Sequence, residues 1–193
     1  MWYIKWWWNK KFIQQHKKDV GTIHGIVHSI AQAKAEDLKS DYINTSRDGF
    51  AHALDVSAYS LVAICREANE IMEAGGSIVT LTYVGADKII PGYNVMGVAK
   101  AALECSVRYL AHDMGKSGIR VNAISAGPIK TISAKGVADF GKSLEIFRRT
   151  SLLGPKLSIS ELGDSAVMLL SELSRAVTGE IVYVDCGSHL MGI

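Results

Sequence analysis

The sequence predicts an α/β fold in which a parallel sheet is covered by helices on both faces. Short apolar runs of strand length recur from residue 23 onward, and the segments between them are long enough for helices and carry apolar residues near helical spacing. A third observation narrows the class. Only about twenty residues precede the first run, and no glycine-rich strand-to-helix turn stands among them, whereas two further βα units and the strand after them would need roughly 60 residues. The expected sheet is therefore doubly wound but without its first βαβα portion.

Ile23 to Ser29 (IHGIVHS) reads as the first strand, and the polar stretch from Gln32 to Asn44 as a loop. Thr45 or Ser46 can cap a helix predicted to run to about Glu73, because Phe50, Leu54, Leu61, Ile64 and Ile71 fall near helical spacing. Gly75-Gly76 is expected to stop it. The second strand is predicted over Ser77 to Thr82, a helix over Asn94 to about Gly115, and the third strand over Arg120 to Ser125. Gly127-Pro128 opens an irregular or short-helical region to about Leu157. A helix capped by Ser160 and reaching Leu173 follows, and Ile181 to Asp185 (IVYVD) is the last strand.

Composition bounds the function classes. With 48% hydrophobic and 21% charged residues the chain can build a core, which excludes disorder. No stretch approaches the roughly 20 apolar residues of a membrane span, and no cleavable leader pattern opens the chain, so a cytoplasmic protein without a transmembrane segment is expected. Cys65, Cys105 and Cys186 lie far apart in no metal-ligand spacing and read as reduced, buried small hydrophobes. Residues 1 to 18 hold five Lys and no acid; the remaining 16 basic and 19 acidic groups leave the body at −3. A near-neutral body with a cationic tip argues against nucleic acid as a partner.

All four Trp lie between residues 2 and 8. That shift divides the chain into a Trp/Lys-rich head, 1–10, and a single domain, 11–193. The head reads either as a segment foreign to the fold or as a membrane-interface anchor; its shortness favours the first, since it buries too little for stable anchoring.

The chemistry concentrates between Tyr83 and Ser133. Tyr93 and Lys100 are seven positions apart in YNVMGVAK, close to two helical turns, which brings both to one side of a helix. The phenol can donate to an oxygen that becomes negative, while the ammonium can bind sugar hydroxyls and ease phenolate character. By spacing alone, a helix-starting Tyr and a solvated Lys fit equally well. The six histidines are scattered with no metal spacing and no paired carboxylate, and none is assigned a role. Asp185 and its neighbouring glycines are expected to shape a turn or a subunit contact.

The segments HSIAQA (28–33), TSRDGFAHALDVSAYSL (45–61), GGSIVTLTYVGADKIIPGYNVMGVAKAALE (75–104), GIRVNAISAGPIKTISAKG (118–136) and TGEIVYVDCGSHLMGI (178–193) resemble the NADH-dependent enoyl-acyl-carrier-protein reductases. These are a divergent branch of the short-chain dehydrogenase/reductases, and the match runs from about residue 12 to the C-terminus. Ordinary superfamily members place Lys four residues after the Tyr, where this chain has Gly97; the seven-residue offset with a second Tyr at 83 marks the enoyl reductase branch.

The resemblance implies a Rossmann fold whose strands correspond to 4, 5, 6 and 7 of the superfamily order 3-2-1-4-5-6-7, leaving the edge of Ile23 to Ser29 open. It implies reduction of trans-2-enoyl-acyl-carrier-protein with NADH in fatty acid synthesis, acyl carrier protein as partner, and a homo-tetramer. The catalytic group would be Tyr83, Tyr93 and Lys100, with Tyr83 read equally as a pocket wall. Ser29, Ile30, Lys100, Ile129, Lys130, Thr131, Ile132 and Ser133 would contact the cofactor. Ala33 and Tyr83 would face the substrate, and Met96, Ile132, Val137 and Phe140 would line the acyl pocket. NADPH stays open, because the residue that selects at the ribose 2′ position is not in the matched part. The missing pyrophosphate turn predicts weak NADH binding and sustains an alternative, an inactive truncated fragment without a complete dinucleotide site.

Overall fold

A computed structural model describes residues 15, 18–19, 21–129, 140–154 and 156–192. Four parallel strands, β1 (Ile23–His28), β2 (Met72–Thr82), β3 (Arg120–Ala126) and β4 (Ile181–Val184), pair in the order β1-β2-β3-β4. This is the predicted α/β class, and among the described residues β1 is an edge strand. Between β1 and β2 lie α1 (Ala35–Lys39), α2 (Arg47–Leu54), a π-turn (Asp55–Tyr59) and α3 (Ser60–Ala68). The long α4 (Asn94–Gly115) links β2 to β3, while α5 (Phe140–Thr150) and α6 (Ile159–Leu170) link β3 to β4.

The strand pleat sorts side chains onto two layers. Ile78, Val121 and Ala123 pack against Leu61 and Cys65 of α3 and Leu103 and Val107 of α4. Val79 and Ile124 point the other way and meet Leu169 of α6. Leu61, Ile78, Leu103, Ile124 and Leu169 have no exposed surface, and such burial contributes about 1.5–3 kcal/mol per side chain.

Several boundaries differ from expectation. The helix ends at Ala68, not Glu73, and β2 begins before the glycine pair. Met72 pairs with Ile23 but Ser77 with Gly25, so the strand bulges between them. Gly75 sits at φ +91°, a conformation that accommodates such a bulge. Within the expected loop, α1 forms and buries Asp37 and Leu38. The α6 cap is Ser158 rather than Ser160: its backbone N–H and hydroxyl donate to the Glu161 carboxylate at 2.5 and 2.7 Å, a start signal legible as S-x-x-E. Of the cysteines only Cys65 is buried; Cys186 is half-buried and Cys105 exposed. No helix among the described residues is long and apolar enough to cross a membrane. The head at 1–10 lies outside the described residues.

Candidate active site

The carboxyl ends of β1, β2 and β3 converge on one rim, where a parallel α/β sheet receives ligands. Beside it opens a cleft of about 380 Å³, walled by Tyr83, Ile90, Gly127, Ile146, Phe147 and Asp185 among others. Tyr83 directly follows β2. Its ring meets that of Tyr93 edge-on, with centroids 5.0 Å apart at 70°.

Tyr93 occupies the cap position of α4 and Lys100 lies two turns in; both are more than nine-tenths buried. The next residue, Asn94, has φ +42°, a left-handed conformation that Asn tolerates, and its side-chain amide donates to the Ser40 carbonyl at 2.6 Å. Glycines permit the close packing here. A Cβ on Gly85 would stand 2.5 Å from the Tyr93 ring, and one on Gly97 would stand 2.7 Å from the Gly85 carbonyl oxygen. Gly97, the position of Lys in ordinary superfamily members, is therefore where the turn after β2 lies against the helix, and Lys100 is the cation that reaches the rim.

The Lys100 ammonium donates to the Leu81 carbonyl at 2.7 Å. Burial lowers its pKa to about 8, opposed by the charge of Glu104. Burial, with Tyr83 and Glu104 nearby, pushes the Tyr93 phenol well above its usual range and so keeps its proton in place. Burial also raises Tyr83.

His28 closes β1 beneath the rim. Its Nδ1 lies 2.8 Å from the Thr80 hydroxyl and its Nε2 2.8 Å from the Ser60 hydroxyl. Thr80 spends its own proton on the His28 carbonyl at 3.3 Å, which assigns the ring proton to Nδ1 and makes Ser60 the donor to Nε2. Burial and the Lys100 charge lower the His28 pKa to about 4, so the ring is a neutral tie between β1, β2 and α3. The π-turn adds Ser57, whose hydroxyl accepts from the Gln32 N–H at 2.9 Å and donates to its carbonyl at 3.1 Å, pinning the loop after β1.

The candidate residues thus separate. Tyr83 and Tyr93 meet ring to ring, and Lys100 reaches the Leu81 carbonyl two residues before Tyr83. Ser29 and Ile30 lie exposed at the end of β1, and Ile129 is half-buried just past β3. Met96 is buried in a cluster with Leu38, Ala53 and Tyr93, against which Ala33 packs, and neither residue is in the cleft wall. Lys130, Thr131, Ile132, Ser133 and Val137 lie outside the described residues, as does the side chain of Phe140, which begins α5.

Two histidines do have carboxylate partners, against expectation: the exposed His112 Nδ1 lies 3.1 Å from the adjacent Asp113, and the half-buried His189 pairs with Asp185. Its Nδ1 lies 2.9 Å from Asp185, and its ring stacks on Tyr183 with centroids 4.0 Å apart. Asp185 also accepts from the Gly187 and His189 N–H groups, so it shapes the expected turn. Lys88 binds the His189 carbonyl and ties that turn to the cleft mouth. Apart from the i, i+4 spacing of Asp185 and His189, the sequence carries no signal for these contacts: the turn bonds are local, and the Lys88 tie spans 101 residues.

The rim fits the nicotinamide-ribose end of a dinucleotide: a buried ammonium with one hydrogen bond among the described residues, a protonated phenol, and backbone of β1 and β3 ending beside them. The described residues hold no glycine-rich turn for the pyrophosphate.

Comparison with known proteins identifies the family. The family model for enoyl-(acyl carrier protein) reductase matches residues 9–189. An NADH enoyl-[acyl-carrier-protein] reductase of Bacillus cereus is 54% identical over 176 residues, covering 91% of this chain and 69% of the relative. The Bacillus subtilis enzyme of the same name is 52% identical, covering 90% and 67%. The chain therefore spans about two thirds of the length of these relatives. Among solved structures, the Bacillus cereus reductase with NADP+ and indole naphthyridinone superimposes with a TM-score of 0.92 at 52% identity, over 95% of this chain and 72% of that one. The Aquifex aeolicus NADH reductase gives 0.91 at 49%, with the same coverage. On sequence and fold alike, the chain belongs to the enoyl-(acyl carrier protein) reductase family.

Proposed function

We propose that the protein reduces the carbon–carbon double bond of trans-2-enoyl-acyl-carrier-protein to the saturated acyl form with NADH, in fatty acid synthesis. The observation that carries this reading is the joint burial of Tyr93 and Lys100 behind Tyr83 at the strand ends. NADH supplies the hydride. The chain's own residues answer the charge that follows: when the β-carbon is reduced, the thioester oxygen becomes an enolate, and the neutral Tyr93 hydroxyl is the donor that stabilises it. Lys100, with N–H groups beyond its bond to Leu81, holds ribose hydroxyls. Tyr83 walls the cleft and shields Tyr93 from water, which strengthens the Tyr93 contact. Ser29, Ile30, Ile129 and the 130–133 run are read as cofactor contacts, and Ala33, Met96 and Phe140 as the acyl side.

The partner is acyl carrier protein bearing an enoyl chain. Exposed Tyr59 and Tyr109 on the outer helices supply apolar surface for the homo-tetramer, and a cytoplasmic site suits soluble substrates. Residues 1–10 are read as lying outside the reductase domain. The test is oxidation of NADH by the purified chain with an enoyl thioester, beside Tyr93→Phe. The variant lowers kcat about 10²-fold or more with a smaller change in KM; equal kcat in the two proteins removes Tyr93 from its role.

A further inference from the structure

Lys100 and Glu104 stand one turn apart on α4, and each is fastened to the end of β2. Lys100 donates to the Leu81 carbonyl at 2.7 Å, while the Thr82 hydroxyl donates to Glu104 Oε1 at 2.7 Å. Two consecutive residues just before Tyr83 are thus held by two side chains of the helix that begins at Tyr93. Thr82 is buried and Glu104 half-buried. We propose that Glu104 is a positioning residue of the reductase site: it clamps the strand end carrying Tyr83 onto α4 and supplies the negative charge that the buried Lys100 ammonium faces.

The surrounding charges leave that task to Glu104. From β1, Lys100 is faced by His28, which is neutral above about pH 4. On its own helix, Glu104 is the group that favours the ammonium. Glu104 is itself faced by Arg108 on α4, by Asp87 beyond the 84–86 turn and by Lys100, and its charge reaches Tyr93 and the β4 residue Tyr183. A carboxylate here acts in one sense on both groups, since it favours the proton on Lys100 and the proton on Tyr93. Those are the states that ribose binding and enolate stabilisation require. The functional meaning rests on the reductase reading; the electrostatic claim does not.

The test titrates the chain with ¹³C-labelled lysine by NMR, without cofactor or substrate. The Lys100 signal is assigned by its loss in Lys100→Met. Its midpoint is expected at about 8 in the unaltered protein. Glu104→Gln, which can still accept from Thr82 but carries no charge, lowers the midpoint by about one pH unit. Thr82→Val keeps the charge and moves the midpoint by less than half as much, while amide exchange over residues 81–83 accelerates. Glu104→Asp retains most of the midpoint. If Glu104→Gln does not fold, Glu104→Ala takes its place and must show the same fall. An unchanged midpoint on removal of the charge, or an equal fall in Thr82→Val, overturns the proposal. The NADH oxidation assay stands apart from this titration, so failure of one is distinguishable from failure of the other.

Discussion

Arg120 and Lys100 are both buried cations, and they sit at opposite ends of the sheet. Arg120, at the start of β3, donates to the Leu169 carbonyl and the Ser174 hydroxyl at 2.7 Å each, and to the Ser171 and Leu170 carbonyls at 3.1 and 3.5 Å. These carbonyls close the C-terminal end of α6, where helices leave acceptors unpaired and favour positive charge. Lys100, at the rim, donates one hydrogen bond among the described residues. The Arg120 charge is saturated by its own fold. The Lys100 charge is held in place yet keeps donors in reserve, which is how a binding site differs from a structural joint.

Exchange of each cation for methionine gives the largest contrast. Arg120→Met orphans the α6 carbonyls and lowers the unfolding free energy by about 3 kcal/mol, read from urea midpoints. Lys100→Met acts in the opposite sense. Its folded pKa of about 8 lies below the ordinary 10.5, so the ammonium is the form that destabilises the fold. Stability rises as pH climbs between those values, and at pH 7 the fold carries the whole cost. Methionine relieves that cost but loses the bond to Leu81, for a net gain of about 1 kcal/mol, while NADH turnover falls by about 10²-fold or more. A loss of stability comparable to that of Arg120→Met would erase the contrast.

His28 sharpens the comparison through pH. Its folded pKa of about 4 lies below the ordinary 6.5, so its contribution is present above 6.5 and is lost as pH falls towards 4. The loss amounts to about 3 kcal/mol. His28→Gln, measured by chemical denaturation at several pH values, should flatten that slope; an equal slope in both proteins places the acid sensitivity elsewhere.

The smallest effect concerns backbone strain, which also gathers at the site end. Asn94 and Cys186 are the non-glycine residues with positive φ among those described, at +42° and +56°. Cys186→Gly should raise the thermal midpoint by a few degrees, equivalent to about 1 kcal/mol. A lower midpoint would show that the Cys186 side chain contributes more than the strain costs.

Much of this molecule is legible along the chain because its signals are local. Apolar runs at Ile23, Ser77, Arg120 and Ile181 mark four strands, and the seven-residue spacing of Tyr93 and Lys100 puts them on one side of a helix whose bounds match the prediction. Where local signals compete, the reading slips. Gly75-Gly76 resembles a helix stop but lies inside a bulged strand, because pairing with β1 and β3 outweighs the glycine preference for turns. Ser160 resembles a cap, but Ser158 takes that role through Glu161.

The sequence by itself determined the α/β class and the order of the strands, since these follow from periodicity; short-range spacing set Tyr93 and Lys100 on one side of a helix, and only the family resemblance read them as catalytic. Only the tertiary structure decided their state. Burial sets the protons of Lys100, Tyr93 and His28, and the hydrogen bonds that hold Lys100, Glu104 and His28 in place come from distant segments: Leu81 lies 19 residues from Lys100, Thr82 lies 22 from Glu104, and Thr80 lies 52 from His28. Charge state depends on desolvation and on neighbours brought together by folding, and neither is a property of residues in line.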